Sequence, residues 1–407
     1  MADLVKAIRN KVNRPKPGII VHTPEPVSSP ALYIEQFCLA LANQGITLGL
    51  VCPKNLKTRS ALEQNPLIHV YPTATRSTDR TRGFIRKAIG NLWFVHSSLW
   101  ILSRTCGRDT IVHIQYALHF PLGILFFLVA HLRGSAIVFT VHDPLPHKWL
   151  PAGYLRLIEQ QSLAWAYRLS RELVVHSEAG KQTLIKYFRI KADKICVIPH
   201  GPYSLGLGIL PMPQSEYLEV LLFGALRENK GAHLAIEAVQ QLFREGVKIR
   251  LTIAGAVLNC NEQPWWSNCR ELIAAYPEPI RVIEDFIADE KLPQLLGNCH
   301  CMLLPYTSFF SDSGVAFMAL ANGRPIIATR VGGLSALLDS SGGGFAIEEP
   351  TVSGVVEALR KASDLGLSCL KSMGVTGTAR VMTECGWPIV ADGTRRLYDS
   401  ILADIRS

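Results

Sequence analysis

The chain has 407 residues, of which 48% are hydrophobic and 18% charged, with 31 Gly and 24 Pro. This balance excludes a disordered or low-complexity polymer, and the length predicts two or three globular domains. The formal charge is +9, yet residues 1–205 hold 25 Lys/Arg against 11 Asp/Glu while residues 206–407 hold 17 against 22, so the two halves are expected to meet different partners.

The ten cysteines include no CxxC pair and no repeated spacing, which argues against a zinc site or disulfide framework and suits a reducing compartment. Cys299-His300-Cys301 opens a strand-like run, where alternate residues face opposite sides, so a structural role is favoured over metal binding. Residues 1–17 are basic and lack the apolar core of a signal peptide, which predicts a cytoplasmic protein. The most apolar stretch, residues 120–130, is too short to span a bilayer and reads as a buried helix. Residues 76–108 carry Arg76, Arg80, Arg82, Arg86, Lys87, Arg104 and Arg108 against the single acid Asp79, interleaved with Phe84, Trp93, Phe94 and Trp100. This run suits either an anionic membrane surface or a solvated face over a core stripe.

In chain order, apolar β-branched runs occur at 18–23, 47–53, 109–116, 136–143, 172–177 and 194–201. A second set follows at 217–226, 248–256, 280–286, 300–306, 325–331 and 345–348, with helix-like segments between runs in both halves. Continuous apolar strands alternating with helices predict parallel sheets covered on both faces, hence an α/β fold of two doubly wound domains. Pro and Gly between 202 and 215 predict a linker there. The expected division is 1–203, a linker at 204–216, a second domain at 217–385, and a last segment at 386–407.

Ligands of such sheets bind beyond the strands' carboxyl ends. In the first half these ends carry His22, Gln115, Tyr116, His142, Asp143, His176 and His200, a set expected to converge on one polar crevice. In the second half, 224–231 (GALRENKG) precedes a helix expected near Ala232, and its Arg227 and Lys230 offer positive charge to an anion. After the strand at 300–305, Ser313 is placed to cap a helix whose first amides, at Gly314 and Val315, would face an anion. These are two half-sites for a phosphorylated ligand. No GxGxxG follows the first strand of either half, no GxxxxGK[ST] occurs, and no DxD supplies a metal clamp. Dinucleotide redox chemistry and P-loop hydrolysis therefore lose their support, and basic side chains plus a helix start can neutralise a diphosphate without metal.

These stretches resemble the retaining GT-B glycosyltransferases of family 4, also called group 1. The resemblance rests on 174–181 (VVHSEAGK), 198–203 (IPHGPY), 223–231 (FGALRENKG), 285–292 (DFIADEKL), LPY at 304–306 with SGV at 313–315, and 323–333 (GRPIIATRVGG). It spans nearly the whole chain and implies two Rossmann-like domains facing across a cleft. A nucleotide-diphosphate sugar would be held by the C-terminal domain and a saccharide or lipid-linked acceptor by the N-terminal one, in exopolysaccharide or envelope glycan synthesis. It implies no metal, no cofactor and no nucleic acid, and a last helix crossing back to the first domain. His142, Arg227 and Lys230 become catalytic candidates. Gly224, Phe286, Tyr306, Asp312, Ser313, Gly314 and Val315 join Arg227 and Lys230 as donor-binding candidates, and His22, Ser28, Ser29, Gln115, Asp143, His176 and His200 are acceptor or cleft candidates. The family's Glu-x7-Glu pair is replaced here by Phe310 and Met318, which leaves donor identity open. A catalytically inactive scaffold of the same architecture is the alternative, with an epimerase or phosphorylase as a further one.

Overall fold

The computed structural model describes residues 17–77, 84–118, 120–146, 149–150, 152–203, 205–206, 208–258, 260–309 and 312–406, with backbone alone at 28–29 and 84–88. The described chain forms two compact units, residues 1–199 with 387–407, and residues 200–386.

The first unit runs β1 (Ile19–His22), α1 (Ser28–Asn43), β2 (Leu48–Pro53), α2 (Arg59–Glu63), β3 (Ile68–Thr73), α3 (Phe84–Thr105), β4 (Ile111–Ile114), α4 (Ile124–Leu132), β5 (Ala136–Thr140), α5 (Tyr154–Leu169), β6 (Glu172–Val175), α6 (Glu178–Phe188) and β7 (Ile195–Val197). Its strands pair in the order β3-β2-β1-β4-β5-β6-β7, all parallel. Residues such as Ile20, Val112, Ile137 and Leu173 are buried at the sheet, each worth about 1.5–3 kcal/mol relative to exposure. One strand, β3, escapes the apolar-run pattern: it lies at the sheet edge, where Pro72 is tolerated.

The second unit runs β8 (Leu218–Phe223), α7 (Ala232–Arg244), β9 (Ile249–Ala254), α8 (Gln263–Ala275), β10 (Ile280–Ile283), α9 (Leu292–Gly297), β11 (Cys301–Leu304), α10 (Gly314–Ala321), β12 (Ile326–Thr329), α11 (Gly333–Ser341), β13 (Gly344–Ile347) and α12 (Val352–Glu384), which breaks at Gly366. A last helix, α13 (Trp387–Arg406), returns to the first unit. The second sheet has the order β10-β9-β8-β11-β12-β13, again parallel. Both sheets reverse their strand order, at β1/β4 and at β8/β11, and such switch points are where an open α/β sheet leaves room for a ligand. No helix among the described residues is long and apolar enough to cross a membrane.

Residues 202–215, expected as a linker, are tied into the second unit by side chains far along the chain. Asn322 donates from Nδ2 to the Tyr203 carbonyl and accepts at Oδ1 from the Leu205 amide. Arg324, fully buried, donates to the carbonyls of Leu210, Pro211, Leu296 and Gly323. His300 bonds the Glu219 amide through Nδ1 and the Pro213 carbonyl through Nε2, which gives the Cys-His-Cys run its structural role.

Candidate active site

At the β8/β11 switch point two loops are joined. Gly231 has φ 71°, and a Cβ there would meet the Pro305 carbonyl oxygen at 1.9 Å, so this turn requires glycine. The Thr307 amide donates to the Asn229 carbonyl at 3.0 Å, and Asn229 Nδ2 donates to the Ser308 carbonyl at 3.0 Å. This stitching places the Lys230 ammonium 3.6 Å from the ring centroid of Tyr306 and 4.5 Å from that of Phe309. Ring quadrupoles hold a cation there without neutralising it, so the charge remains for an anionic ligand. Tyr306 Oη lies 3.3 Å from Ser313 Oγ, and Ser313 Oγ accepts from the Ala316 amide as the N-cap of α10. The cap orients Ser313 at the positive end of a helix whose next residues are Gly314 and Val315. A Cβ on Gly314 would lie 2.6 Å from Tyr203 Cε2, so the residue type lets the helix start approach that ring. Lys230, Tyr306 and Ser313 to Val315 thus form one cationic corner.

The remaining donor candidates are placed differently. Gly224 follows β8, with Val315 Cγ2 3.5 Å from where its Cβ would be. Arg227 is half-buried at the start of the turn over Glu228–Lys230, and its carbonyl accepts from the Lys230 amide. Asp312 sits against α11: a Cβ on Gly333 would lie 1.9 Å from Asp312 Oδ1. Phe286 is exposed and lines, with Arg281, Asp285 and Lys291, a cavity of about 330 Å³ beside α9, to which neither loop 224–231 nor loop 306–315 contributes. Met318 is buried in α10, and Phe310 lies outside the described residues.

In the first unit the strand ends bring Tyr116, His142 and His176 together. His142 stacks on Tyr116 at 4.1 Å with parallel planes, and Tyr33 meets it edge-on at 4.9 Å. His176 Nδ1 is 3.0 Å from the Ile198 carbonyl, and its Nε2 is 3.1 Å from His142 Nδ1. A carbonyl can only accept, so His176 carries its proton on Nδ1, accepts from His142 at Nε2, and fixes the His142 lone pair on Nε2. Gln115 is buried on His113, 3.2 Å from its Nε2, and His113 Nδ1 pairs with Tyr398 of α13. Asp143 is exposed at the end of the β5 strand run, and Ser28 and Ser29 begin α1.

Two histidines depart from the expected crevice. His22 points into the core against Phe126, fully buried, with neither ring nitrogen hydrogen-bonded among the described residues. A strand end alternates faces, and at His22 the face is the apolar one. His200 belongs to the second unit, where it stacks on Phe317 of α10 at 5.2 Å, because the chain passes into that unit just after Pro199.

Burial brings His22 and His113 down to about 3 and His176 to about 4. The unfolded chain holds these histidines near 6.5, so it binds more protons than the fold below that pH. Their stabilising effect is complete above pH 6.5 and is lost as pH falls towards 4. Unfolding at pH 5 is expected to take up about three protons through these groups, as measured from the pH dependence of the urea midpoint. A midpoint constant between pH 6.5 and 5 would contradict that burial.

Sequence reasoning missed Tyr33, Phe309, Trp387 and Arg324. Trp387 lies 5.1 Å from Tyr33 and donates its indole N–H to Gln36, closing α13 onto α1. Among the described residues no three His, Cys, Asp or Glu side chains group as a metal site.

Residues 30–202 match the family described as Glycosyltransferase Family 4, and residues 218–364 match Glycosyl transferases group 1. The chain is 30% identical over 154 residues to WcaL of Escherichia coli K12, named for colanic acid biosynthesis, a match covering 36% of each protein. It is 25% identical over 282 residues to a glycogen synthase of Mycobacterium tuberculosis H37Rv, covering 66% of this chain and 64% of that protein. Among solved structures, Anabaena HepE in complex with UDP and glucose has a TM-score of 0.69 at 16% identity, over 94% of this chain and 100% of that one. Sucrose-phosphate synthase from Thermosynechococcus elongatus has a TM-score of 0.72 at 16% identity, over 95% and 99%. Both likenesses concern the fold.

Proposed function

The chain belongs to the group 1 glycosyltransferases of family 4, and from that premise we propose a retaining transferase that moves a sugar from a nucleotide-diphosphate donor to a saccharide or lipid-linked acceptor in exopolysaccharide or envelope glycan synthesis. The observation that carries this reading is the Lys230 ammonium held on Tyr306 and Phe309 beside the Ser313-capped start of α10. An ammonium and a helix start converging at a sheet switch point suit a diphosphate, whose charge grows as the sugar leaves. The bond from the anomeric carbon to the phosphate oxygen breaks, and its electron pair goes to that oxygen. The acceptor oxygen bonds the carbon on the same face, and the departing phosphate takes the acceptor's proton. Lys230 and the first amides of α10 stabilise the leaving charge, so turnover is expected to persist in EDTA. WcaL's name and the UDP and UDP-glucose complexes of HepE support a polysaccharide acceptor and a nucleotide-sugar donor.

The test is to incubate the protein with a panel of nucleotide sugars and oligosaccharide acceptors, in EDTA, and to read the new linkage by NMR coupling constants. A glycoside with the donor's anomeric configuration is expected. An inverted product would overturn the retaining mechanism, release of free sugar alone would show donor hydrolysis in place of transfer, and no reaction throughout would favour an inactive scaffold.

A further inference from the structure

The outer face of three neighbouring helices in the first unit has a composition that the transfer reaction does not explain. α4 packs against both α3 and α5. On α3, Leu92 is 63% and Trp93 53% exposed. On α4, Leu132 is 80% exposed, and on α5 Tyr154 and Trp165 are 76% and 52% exposed. Ile89 and Leu128, 50% and 38% exposed, stand one turn before Trp93 and Leu132, and Tyr154 and Trp165 lie about three turns apart, so each of the three adjacent helices carries an apolar stripe on its solvent side.

The charge on this face has one sign. Across the three helices the sole carboxylate is Glu159, which is buried and accepts the Leu150 amide. Arg104 lies 4.4 Å over the Trp100 ring, Arg168 lies 5.9 Å from that of Trp165, and Arg133 follows α4. The contrast is α13 of the same unit, whose arginines Arg395 and Arg396 pair with Asp392 and Asp399 as on an ordinary wet face. The linear run at 76–108 is a poorer description of this surface: Arg76 pairs with Glu25 at 2.6 Å, Phe94 is buried, Arg80 and Arg82 lie outside the described residues, and the side chains of Phe84, Arg86 and Lys87 are not described.

We propose that the α3–α4–α5 face docks on an anionic lipid bilayer, with its tryptophans, tyrosine and leucines at the headgroup boundary and its arginines on lipid phosphates. Amphipathic rings and basic groups without exposed acids match that interface in both polarity and charge. A protein partner of mixed charge would find no exposed carboxylate on these helices to pair its own lysines and arginines, whereas lipid phosphates need only the cations. The inference is independent of donor binding, which concerns the other unit.

The test is flotation of the full-length protein with phosphatidylcholine vesicles containing none or 30% phosphatidylglycerol, at low and high salt. Binding is expected with the anionic vesicles, weakened by salt. Arg104→Gln/Arg133→Gln/Arg168→Gln should lower the partition coefficient by roughly a hundredfold, taking about 1 kcal/mol per arginine, and Trp93→Glu/Trp165→Glu should abolish flotation. Circular dichroism and nucleotide binding of each variant establish that fold and donor site are intact. No flotation of the wild type, or equal flotation without anionic lipid, would overturn the proposal. So would a self-associated protein that Trp93→Glu/Trp165→Glu converts to monomers, since a second copy would then cover the face.

Discussion

Replacing Lys230 with alanine is expected to lower the turnover number by about 10²–10³-fold, the loss seen when one preorganised donor to a developing oxyanion is removed. The reason lies in how the ammonium is held. Tyr306 and Phe309 position it from the ring side, at 3.6 and 4.5 Å from their centroids, and supply no counter-charge. A lysine paired with a carboxylate would already have its field cancelled; this one gains its full partner when a diphosphate arrives. The cost in stability should be small, because Lys230 is half-exposed in a short turn whose backbone bonds, Lys230 N to Arg227 O and Gly231 N to Glu228 O, do not involve its side chain. Steady-state kinetics with matched urea denaturation separate the two effects. Normal turnover in Lys230→Ala would remove this lysine from the mechanism.

Replacing Arg324 with methionine is expected to destabilise the protein by about 3–5 kcal/mol, since it takes the guanidinium from the buried Gly323 carbonyl and the partly buried Leu210 and Pro211 carbonyls, at about 1–3 kcal/mol each, while relieving the desolvation of one charge; the Leu296 carbonyl keeps the Cys299 amide. Burial lowers the Arg324 pKa, and the neighbouring Cys299 thiol is pushed up to about 12, so it supplies no counter-charge at neutral pH. The guanidinium is therefore satisfied by main-chain oxygens, and its five donors in a planar fork suit that role where a lysine would not. Two of those oxygens belong to Leu210 and Pro211, so the variant should also become sensitive to proteolysis between 205 and 213. An unchanged urea midpoint and digestion pattern would show that the segment is held by other means.

Arg324 also marks where local sequence stops informing. Pro and Gly at 202–215 argue for a linker because they break regular structure, but whether a broken segment is loose depends on its partners. Here the partners, Asn322 and Arg324, are more than a hundred residues away. Strands were legible wherever a parallel sheet buries both faces, as in Ile20 or Leu303, because burial on both sides selects unbroken apolar runs. Edge strand β3 breaks that rule and was not legible. The Ser313 cap was readable because capping is set within four residues; the aromatic support of Lys230 was not, because Tyr306 and Phe309 reach it through the tertiary fold. Likewise four histidines at strand ends looked alike, and only packing separates His22, set against Phe126 with neither ring nitrogen bonded among the described residues, from the hydrogen-bonded His142–His176 pair of the same sheet.

The most direct test of the central claim is calorimetric titration of the protein, in EDTA, with nucleoside monophosphates and diphosphates of each base, repeated on Lys230→Ala. One base is expected to bind, as the diphosphate at least tenfold more tightly than as the monophosphate, and the variant should lose that preference while retaining the weaker binding. Absence of binding by every diphosphate, or equal affinity for the diphosphate in wild type and variant, would contradict a donor site built on Lys230 and the start of α10.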